Sequence, residues 1–571
     1  MNYLVVFLVI SVAIGCLESV ANGANILIYS GSIGGSHLAS ASFLGKELVR
    51  RGHRVTFLVS VEQAHEAGDP RYAESTFILH NVSSSHGDIA SKITHLAAMS
   101  FNIGQTQATY RLYEWGVRQT VEHCRCILHD SMEDLRKAEL DLVIFDMSLG
   151  QCAAVVAAKL GVKYMGLVLL ATPPLVTHLS MGNPFLPSIM PLSMSGLPHS
   201  MTFAQRVRNM LSWMISQGVL APRYIREMNK MLREAGISKE RFPDVLRNTE
   251  LVLSSTHPAV DYPLHRTPNI ISVGGLSARP AQALEKDLED FVQSSGDHGL
   301  VIFTLGSYLS VVIPDIVRVF VDVFAEVEQK VVWHIDDSAF DIYNITMPRH
   351  NKTRLLIYHG GNNGLYEAMY HGVPLVVMPL MTDGLDTATR VLERGIGQVI
   401  DVTVNFNKEA ILQCIREVIH NNTYRERAVR LSEILRDQKA QPVEMAANWV
   451  EHVMSYGGGY LRPATHSLRR RDPDLLHDWC DPVVKEAPQK KRFSREDQNA
   501  SKEVLDKTLV VEEAKVRTLY ETLMAELAGE DLGGLAGGDD KAKEDPRRSL
   551  TSSARWRSYN IIKGYQSLQY S

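Results

Sequence analysis

Short apolar runs alternate with longer stretches in which apolar positions recur every three or four residues. Residues 26–30 form the first run and read as a buried strand. A helical pattern follows, with Ala41, Leu44 and Leu48 at helical spacing and Gly52 as its stop. Residues 55–59 are the next strand. Residues 140–146 predict a strand that carries an acid, Asp146, at its C-terminal end. Cys152–Leu160 then reads as a helix and 164–169 as a strand. In the second half, 299–307 predict a strand ending in Gly306-Ser307, and 355–357 another. A helical pattern ends at Gly372, and 373–380 are the strand after it. Strands that alternate with helices over this length predict an α/β protein with parallel sheets.

At 571 residues the chain exceeds one core, so two domains with additions are expected. Hydrophobic content of 45% and charged content of 22% are ordinary for a globular protein. A net charge of −5 argues against a nucleic-acid binder. Residues 4–14 are apolar, and Ala21-Asn22-Gly23 supplies small residues for cleavage, so 1–23 read as a secretory signal despite the lack of Lys or Arg before the apolar run. A buried N-terminal strand is the alternative. Glu18 and the small-residue cluster, which separate two apolar stretches, speak against it. Entry to the secretory pathway gives meaning to the glycosylation sequons at Asn81, Asn344, Asn351, Asn421 and Asn499. Five cysteines remain once Cys16 leaves with the signal, which predicts neither a disulfide framework nor a zinc site. Cys124 and Cys126, two apart in a helical pattern, point to different faces. No later run has the roughly 18 apolar residues of a membrane-spanning helix.

Two places carry candidate chemistry. Residues 358–374 read Tyr-His-Gly-Gly-Asn-Asn-Gly-Leu-Tyr-Glu-Ala-Met-Tyr-His-Gly-Val-Pro, a strand, a glycine-rich turn and a helix start. Such a turn converges backbone N–H groups on a phosphate, and the helix dipole favours the negative charge. Glu367, one or two turns into the helix, could accept from sugar hydroxyls. The plain alternative is a tight turn with a cap. The other place is the pair His37 and Asp146, each at the C-terminal side of a strand of one predicted sheet, at the edge where open α/β sheets bind ligands. A histidine backed by a carboxylate is the arrangement of a general base. The alternative is that each residue merely caps a helix. Gly31, Gly34 and Gly35 do not fit the dinucleotide fingerprint, and no acid closes the second strand.

Residues 358–374 resemble the signature of the UDP-glycosyltransferases, His-Gly-Gly-x-Asn-Gly-x-x-Glu, which holds the diphosphate and ribose of a UDP-sugar. Residues 36–56, Ser-His-Leu-Ala-Ser-Ala-Ser-Phe-Leu-Gly-Lys-Glu-Leu-Val-Arg-Arg-Gly-His-Arg-Val-Thr, resemble the N-terminal domain of the UDP-glucuronosyltransferases. The likeness runs from about residue 25 to about residue 463. It implies a GT-B fold, α/β, with two Rossmann-like domains facing a cleft: 24–273 for the acceptor, 274–463 for the UDP-sugar with helices returning to the first domain, and a charged tail over 464–571. It makes His37 the base and Asp146 its partner. It assigns Gly306, Ser307, His359, Gly361, Asn363 and Gly364 to the donor's phosphates, Glu367 to the ribose and Asp383 to the sugar. Helices between roughly 105 and 240 would cover the acceptor pocket.

The implied reaction is inverting transfer of a hexosyl group, glucuronosyl first, from UDP to a hydroxyl of a small lipophilic acceptor. It calls for no metal and no cofactor beyond the UDP-sugar, which is a substrate. It implies the lumen of the endoplasmic reticulum, or secretion. Membrane association and a homo-oligomer stay open. Three features depart from the pattern. The connection from Trp333 to His359 is short and lacks the Trp-x-Pro-Gln whose ring stacks on uracil. The Asp-Gln pair that meets the sugar is Asp383-Gly384, and 386–391 resemble the ceramide galactosyltransferase branch. The family's membrane helix is replaced by a charged tail in which 502–527 could form one amphipathic helix. These features keep two alternatives in view: a glucosyl- or galactosyltransferase acting on a sphingolipid-like acceptor, and an inactive acceptor-binding homologue.

Overall fold

The computed structural model describes residues 23–31, 35–81, 105–170, 172–237, 240–284, 286–306, 314–334, 352–380, 383–402 and 406–468. Several expectations fall outside them: the signal segment 1–22, Ser307, most of the 333–359 connection, the sequons at Asn344, Asn351 and Asn499, and the tail beyond 468 with its helix over 502–527.

Two parallel sheets organise the chain. The first has seven strands: β1 (Asn25–Tyr29), β2 (Arg54–Ser60), β3 (Thr76–His80), β4 (Leu142–Asp146), β5 (Lys163–Val168), β6 (Val252–Ser254) and β7 (Ile270–Ser272). Their order is β3-β2-β1-β4-β5-β6-β7, so the chain reverses direction across the sheet between β1 and β4. The second has five: β8 (Leu300–Thr304), β9 (Lys330–His334), β10 (Thr353–Tyr358), β11 (Leu375–Val377) and β12 (Gly397–Val399), ordered β12-β11-β10-β8-β9. Crevices at such reversals, outside the C-terminal strand ends, are where ligands of open α/β sheets sit.

Both faces of each sheet are covered, which explains the unbroken apolar runs. On the first sheet Leu27, Tyr29, Val143 and Phe145 face the helices Gln105–Cys126 and Cys152–Leu160. Ile26, Ile28, Leu142 and Ile144 face the opposite layer, which contains Leu38, Leu44 and Leu48 of the helix Gly35–Arg50. Ala446, Val450 and Val453 of the C-terminal helix Pro442–Tyr456 pack into that same layer, so the end of the chain returns to the first sheet. Arg51 fixes the return by donating to Asn448 and Glu451 at 2.7 and 2.8 Å. The second sheet is sandwiched in the same way. Phe303, Leu355 and Ile357 face one side, and Ile302, Leu356 and Tyr358 face the helices Asn362–Tyr370, Gly384–Arg394 and Asn422–Arg436.

Two expectations change. The run 373–380 yields a strand only over Leu375–Val377, although Val373, Met378 and Leu380 are buried. Burial made the run apolar, and only its middle pairs with β10 and β12. The cysteine count predicted no disulfide framework, yet Cys124 of the helix Gln105–Cys126 is bonded to Cys152, the first residue of the helix after β4. Cys126, on another face, and Cys414 are free thiols. Among the described residues no helix is long and apolar enough to cross a membrane.

Candidate active site

β1 and β4 are neighbours, with Tyr29 opposite Phe145, so the segments leaving the two strands emerge side by side. Asp146 is the last residue of β4 and is fully buried. His37 stands in the first turn of the helix after β1 and is 8% exposed. The ring Nδ1 of His37 and Oδ2 of Asp146 meet in a short hydrogen bond. The other carboxylate oxygen accepts the N–H of Ser148 at 2.6 Å and lies 3.4 Å from that of Leu149, which fixes its plane. Burial opposes a charge on the ring, but the Asp146 carboxylate, by charge and hydrogen bond, and the charge of Asp383 outweigh it. The His37 pKa is therefore raised above the usual imidazole value. With Nδ1 engaged, Nε2 is the nitrogen left to exchange a proton, and no described residue pairs with it.

The glycine-rich turn lies across from this pair. Gly361 caps the helix Asn362–Tyr370 with extended backbone. Among the described residues none accepts from the N–H of Asn363 or Gly364, so two donors of the first turn are available for an anion. The half-buried ring of His359 is wedged between glycines. A Cβ on Gly306 would stand 2.3 Å from its Cε1, and one on Gly361 would stand 2.6 Å from its Nε2. Gly306 has a φ of +79°, so both space and backbone call for glycine there. Burial pushes the His359 ring down to about 4, and its Nδ1 is buried without a partner. It is a neutral imidazole at pH 7. Glu367, one turn further along the helix, is also shaped by burial, which pushes its carboxyl up to about 8 against the charge of Arg279. The Arg279 guanidinium lies 4.7 Å over the ring of Phe43, in the His37 helix.

Two residues named from the sequence, Asn363 and Asp383, and several that it left without a role join the two halves. The Asn363 amide donates to the Ser36 carbonyl at 3.1 Å and accepts from Ser40 Oγ at 2.9 Å. Its side chain thus binds the His37 helix, whereas the resemblance assigned it to the phosphates. Asn362 donates to the Leu169 carbonyl at 3.1 Å, and its N–H lies 3.2 Å from Oδ2 of Asp383. Asp383 precedes the helix Gly384–Arg394 and faces the turn. One turn on, buried Asp386 accepts the N–H groups of Met194 and Gly196 at 2.8 and 2.9 Å. Arg390 is fully buried, donates to Thr172 and pairs with Asp261. Asn362 stood inside the quoted motif and Asp386 and Arg390 inside the stretch 386–391, so their positions were visible while their partners were not. Gly384 has a structural reason of its own: a Cβ there would stand 2.7 Å from the His359 carbonyl oxygen.

The family model described as "UDP-glucoronosyl and UDP-glucosyl transferase" matches residues 25–470. The chain belongs to the UDP-glycosyltransferase family. UDP-glucuronosyltransferase 2A1 of Mus musculus is 29% identical over 469 residues, covering 78% of this chain and 88% of that one. UDP-glucuronosyltransferase 2A2 of Homo sapiens is 30% identical over 477 residues, covering 79% and 87%. Among solved structures, the calicheamicin glycosyltransferase CalG4 aligns with a TM-score of 0.50 at 18% identity, over 76% of this chain and 99% of that one. Os79 from O. sativa, in complex with U2F and trichothecene, aligns with a TM-score of 0.51 at 16% identity, over 75% and 100%. These likenesses and the two parallel sheets give this UDP-glycosyltransferase the GT-B fold. It is a glycosyltransferase enzyme, and its family implies a UDP-sugar donor and an acceptor.

Proposed function

We propose that this UDP-glycosyltransferase transfers a glucuronosyl group, with inversion, from UDP-glucuronic acid to a hydroxyl of a small lipophilic acceptor. The contact of His37 Nδ1 with Asp146 carries the reading, because it leaves Nε2 as the proton acceptor. Nε2 takes the acceptor's hydroxyl proton as its oxygen bonds to the anomeric carbon. The bond from that carbon to the diphosphate breaks, and the electron pair leaves with UDP. Asp146 holds the tautomer and stabilises the imidazolium. The N–H groups of Asn363 and Gly364, with Gly306 and with Ser307 in the role the family resemblance gives it, meet the charge growing on the diphosphate. Oriented N–H groups at a helix N-terminus supply positive potential, so the reading calls for no metal. Glu367 binds the ribose and Asp383 the sugar.

Placement in the secretory pathway accords with the apolar N-terminus and with the Cys124–Cys152 disulfide, a bond that persists in oxidising compartments. A second reading, transfer of glucose or galactose, draws on Gly384. Without a side chain there, Asp383 meets the sugar alone. Calorimetry with UDP, UDP-glucuronic acid, UDP-glucose and UDP-galactose separates the two. Tighter binding of UDP-glucuronic acid than of the neutral sugars supports the first, and the reverse order supports the second.

A further inference from the structure

One face of the helix Gly384–Arg394 is bound to the half of the molecule built on the first sheet. Asp386, Thr389, Arg390, Glu393 and Arg394 recur at helical spacing and share that face. Arg390 donates to Thr172 at 2.7 Å and pairs with Asp261 at 3.3 Å. Glu393 accepts the N–H of His199 at 3.3 Å. Arg394 donates to the carbonyls of Pro258 and Asp261 at 3.0 and 2.6 Å. Thr389 donates to the Gly196 carbonyl at 2.8 Å. All these partners lie in the chain between β5 and β7.

The closest grip falls on a strained turn. Met194 has a φ of +64° and Gly196 a φ of +63°. Glycine adopts this left-handed backbone freely, whereas a methionine there is strained. Such a residue keeps its conformation only where the surroundings hold it. Asp386, buried, holds it with both carboxylate oxygens: Oδ2 accepts the N–H of Met194 at 2.8 Å and Oδ1 that of Gly196 at 2.9 Å. The turn lies so close that a Cβ on Gly196 would stand 3.3 Å from the Cβ of Leu385. One helical turn before Asp386 stands the N-cap, Asp383. Its Oδ2 accepts the N–H of Asn362 at 3.2 Å, and its charge is felt at His37.

We propose, on the reading in which Asp383 meets the sugar, that Asp386 is a positioning residue for that sugar: its grip on the turn Met194–Gly196 sets where the helix Gly384–Arg394 places Asp383. A single helical turn is stiff, so a change of grip at Asp386 is passed to Asp383. The diphosphate is held elsewhere, by the N–H groups of Asn363 and Gly364, so the effect falls on the sugar. The sugar site is thus completed by a loop of the acceptor's half, and the shape of that loop enters the choice of donor.

Calorimetry of the full chain with UDP, UDP-glucuronic acid and UDP-glucose tests it, with thermal unfolding to show that each variant is folded. Asp386→Asn keeps the size of the side chain and loses one of the two acceptors. It should weaken the better-bound UDP-sugar about tenfold and UDP by no more than about threefold. Asp383→Ala should do the same, and the double variant should bind no more weakly than Asp383→Ala alone, because both act on one contact. Met194→Gly added to Asp386→Asn should recover most of the loss, since glycine keeps the left-handed turn without support. Thr389→Val loosens the same turn more gently and should weaken the UDP-sugar about fivefold, which keeps the test intact if Asp386→Asn does not fold. Sugar binding that is lost in Asp383→Ala but unchanged in Asp386→Asn and Thr389→Val overturns the proposal and leaves Asp383 at the sugar. Losses that add in the double variant overturn it too, as does equal weakening of UDP and UDP-sugar in Asp386→Asn, which would make Asp386 a structural residue alone. Unchanged sugar binding in Asp383→Ala removes Asp383 from the sugar, and the proposal falls with it.

Discussion

Ser40 Oγ donates to Asn363 Oδ1 at 2.9 Å, joining residues 323 positions apart in the chain. Ser40 lies one turn beyond His37 on the same helix, and Asn363 lies in the first turn of the helix whose N-terminus faces the donor. With the second bond from Asn363 to the Ser36 carbonyl, the proton acceptor and the anion-binding turn are set in one frame. The reacting groups of a two-substrate transfer come from different sheets, so this frame is what aligns them.

Weakening the frame should slow transfer without unfolding the protein. A hydrogen bond between neutral groups contributes about 1 kcal/mol net. Ser40→Ala should therefore lower kcat/KM by about fivefold, and Asn363→Ala, which removes both bonds, by tenfold or more. Steady-state kinetics with thermal unfolding alongside checks this. Equal kcat/KM in wild type and Asn363→Ala would show that the bond does not govern alignment.

Proton transfer to His37 requires a neutral ring. Because Asp146 and Asp383 raise its pKa above 6.5, kcat/KM should fall as pH drops through a midpoint above 6.5. Asp146→Asn removes the main raising charge. The acid limb should then move to lower pH while the plateau drops by about a hundredfold or more, as the tautomer is lost. A pH–rate profile of both proteins reads the two effects separately.

Glu367 gives a signal that needs no acceptor. With its carboxyl near 8, the empty site holds a proton on Glu367 at pH 7. Ribose hydroxyls donating to this group favour the ionised form, so UDP binding should release close to one proton. Calorimetry in buffers of different ionisation enthalpy counts it. Glu367→Gln should bind UDP more weakly and release none.

Two glycines should resist substitution for different reasons. Gly306→Ala places a methyl in the His359 ring at a positive φ and should weaken UDP binding by tenfold or more. Gly384→Gln would set its Cβ against the His359 carbonyl and should cost about 1–3 kcal/mol of stability, with no gain in transfer. Thermal unfolding and donor titration follow both.

The sequence made the layers and the first sketch of the site legible. Apolar runs marked β1, β4, β8 and β10 because those strands are buried on both faces, and the helix Cys152–Leu160 matched its pattern residue for residue. The juxtaposition of His37 with Asp146 followed from two strands each ending near a polar residue. The frame was not legible: Ser36, Ser40, Asn362 and Arg390 act through partners far along the chain, and local periodicity carries no record of those. The overlong strand at 373–380 shows the same limit, since buried loop residues and paired strand residues are equally apolar. Five cysteines gave no means of choosing Cys152 as the partner of Cys124.

The most direct test is His37→Ala, assayed for transfer and for UDP binding on the same preparation. If Nε2 of His37 takes the acceptor proton, transfer should fall by about 10²- to 10⁴-fold while the affinity for UDP stays within about twofold. Transfer at the wild-type rate with UDP binding intact would contradict the account, because the proton would then leave by another group.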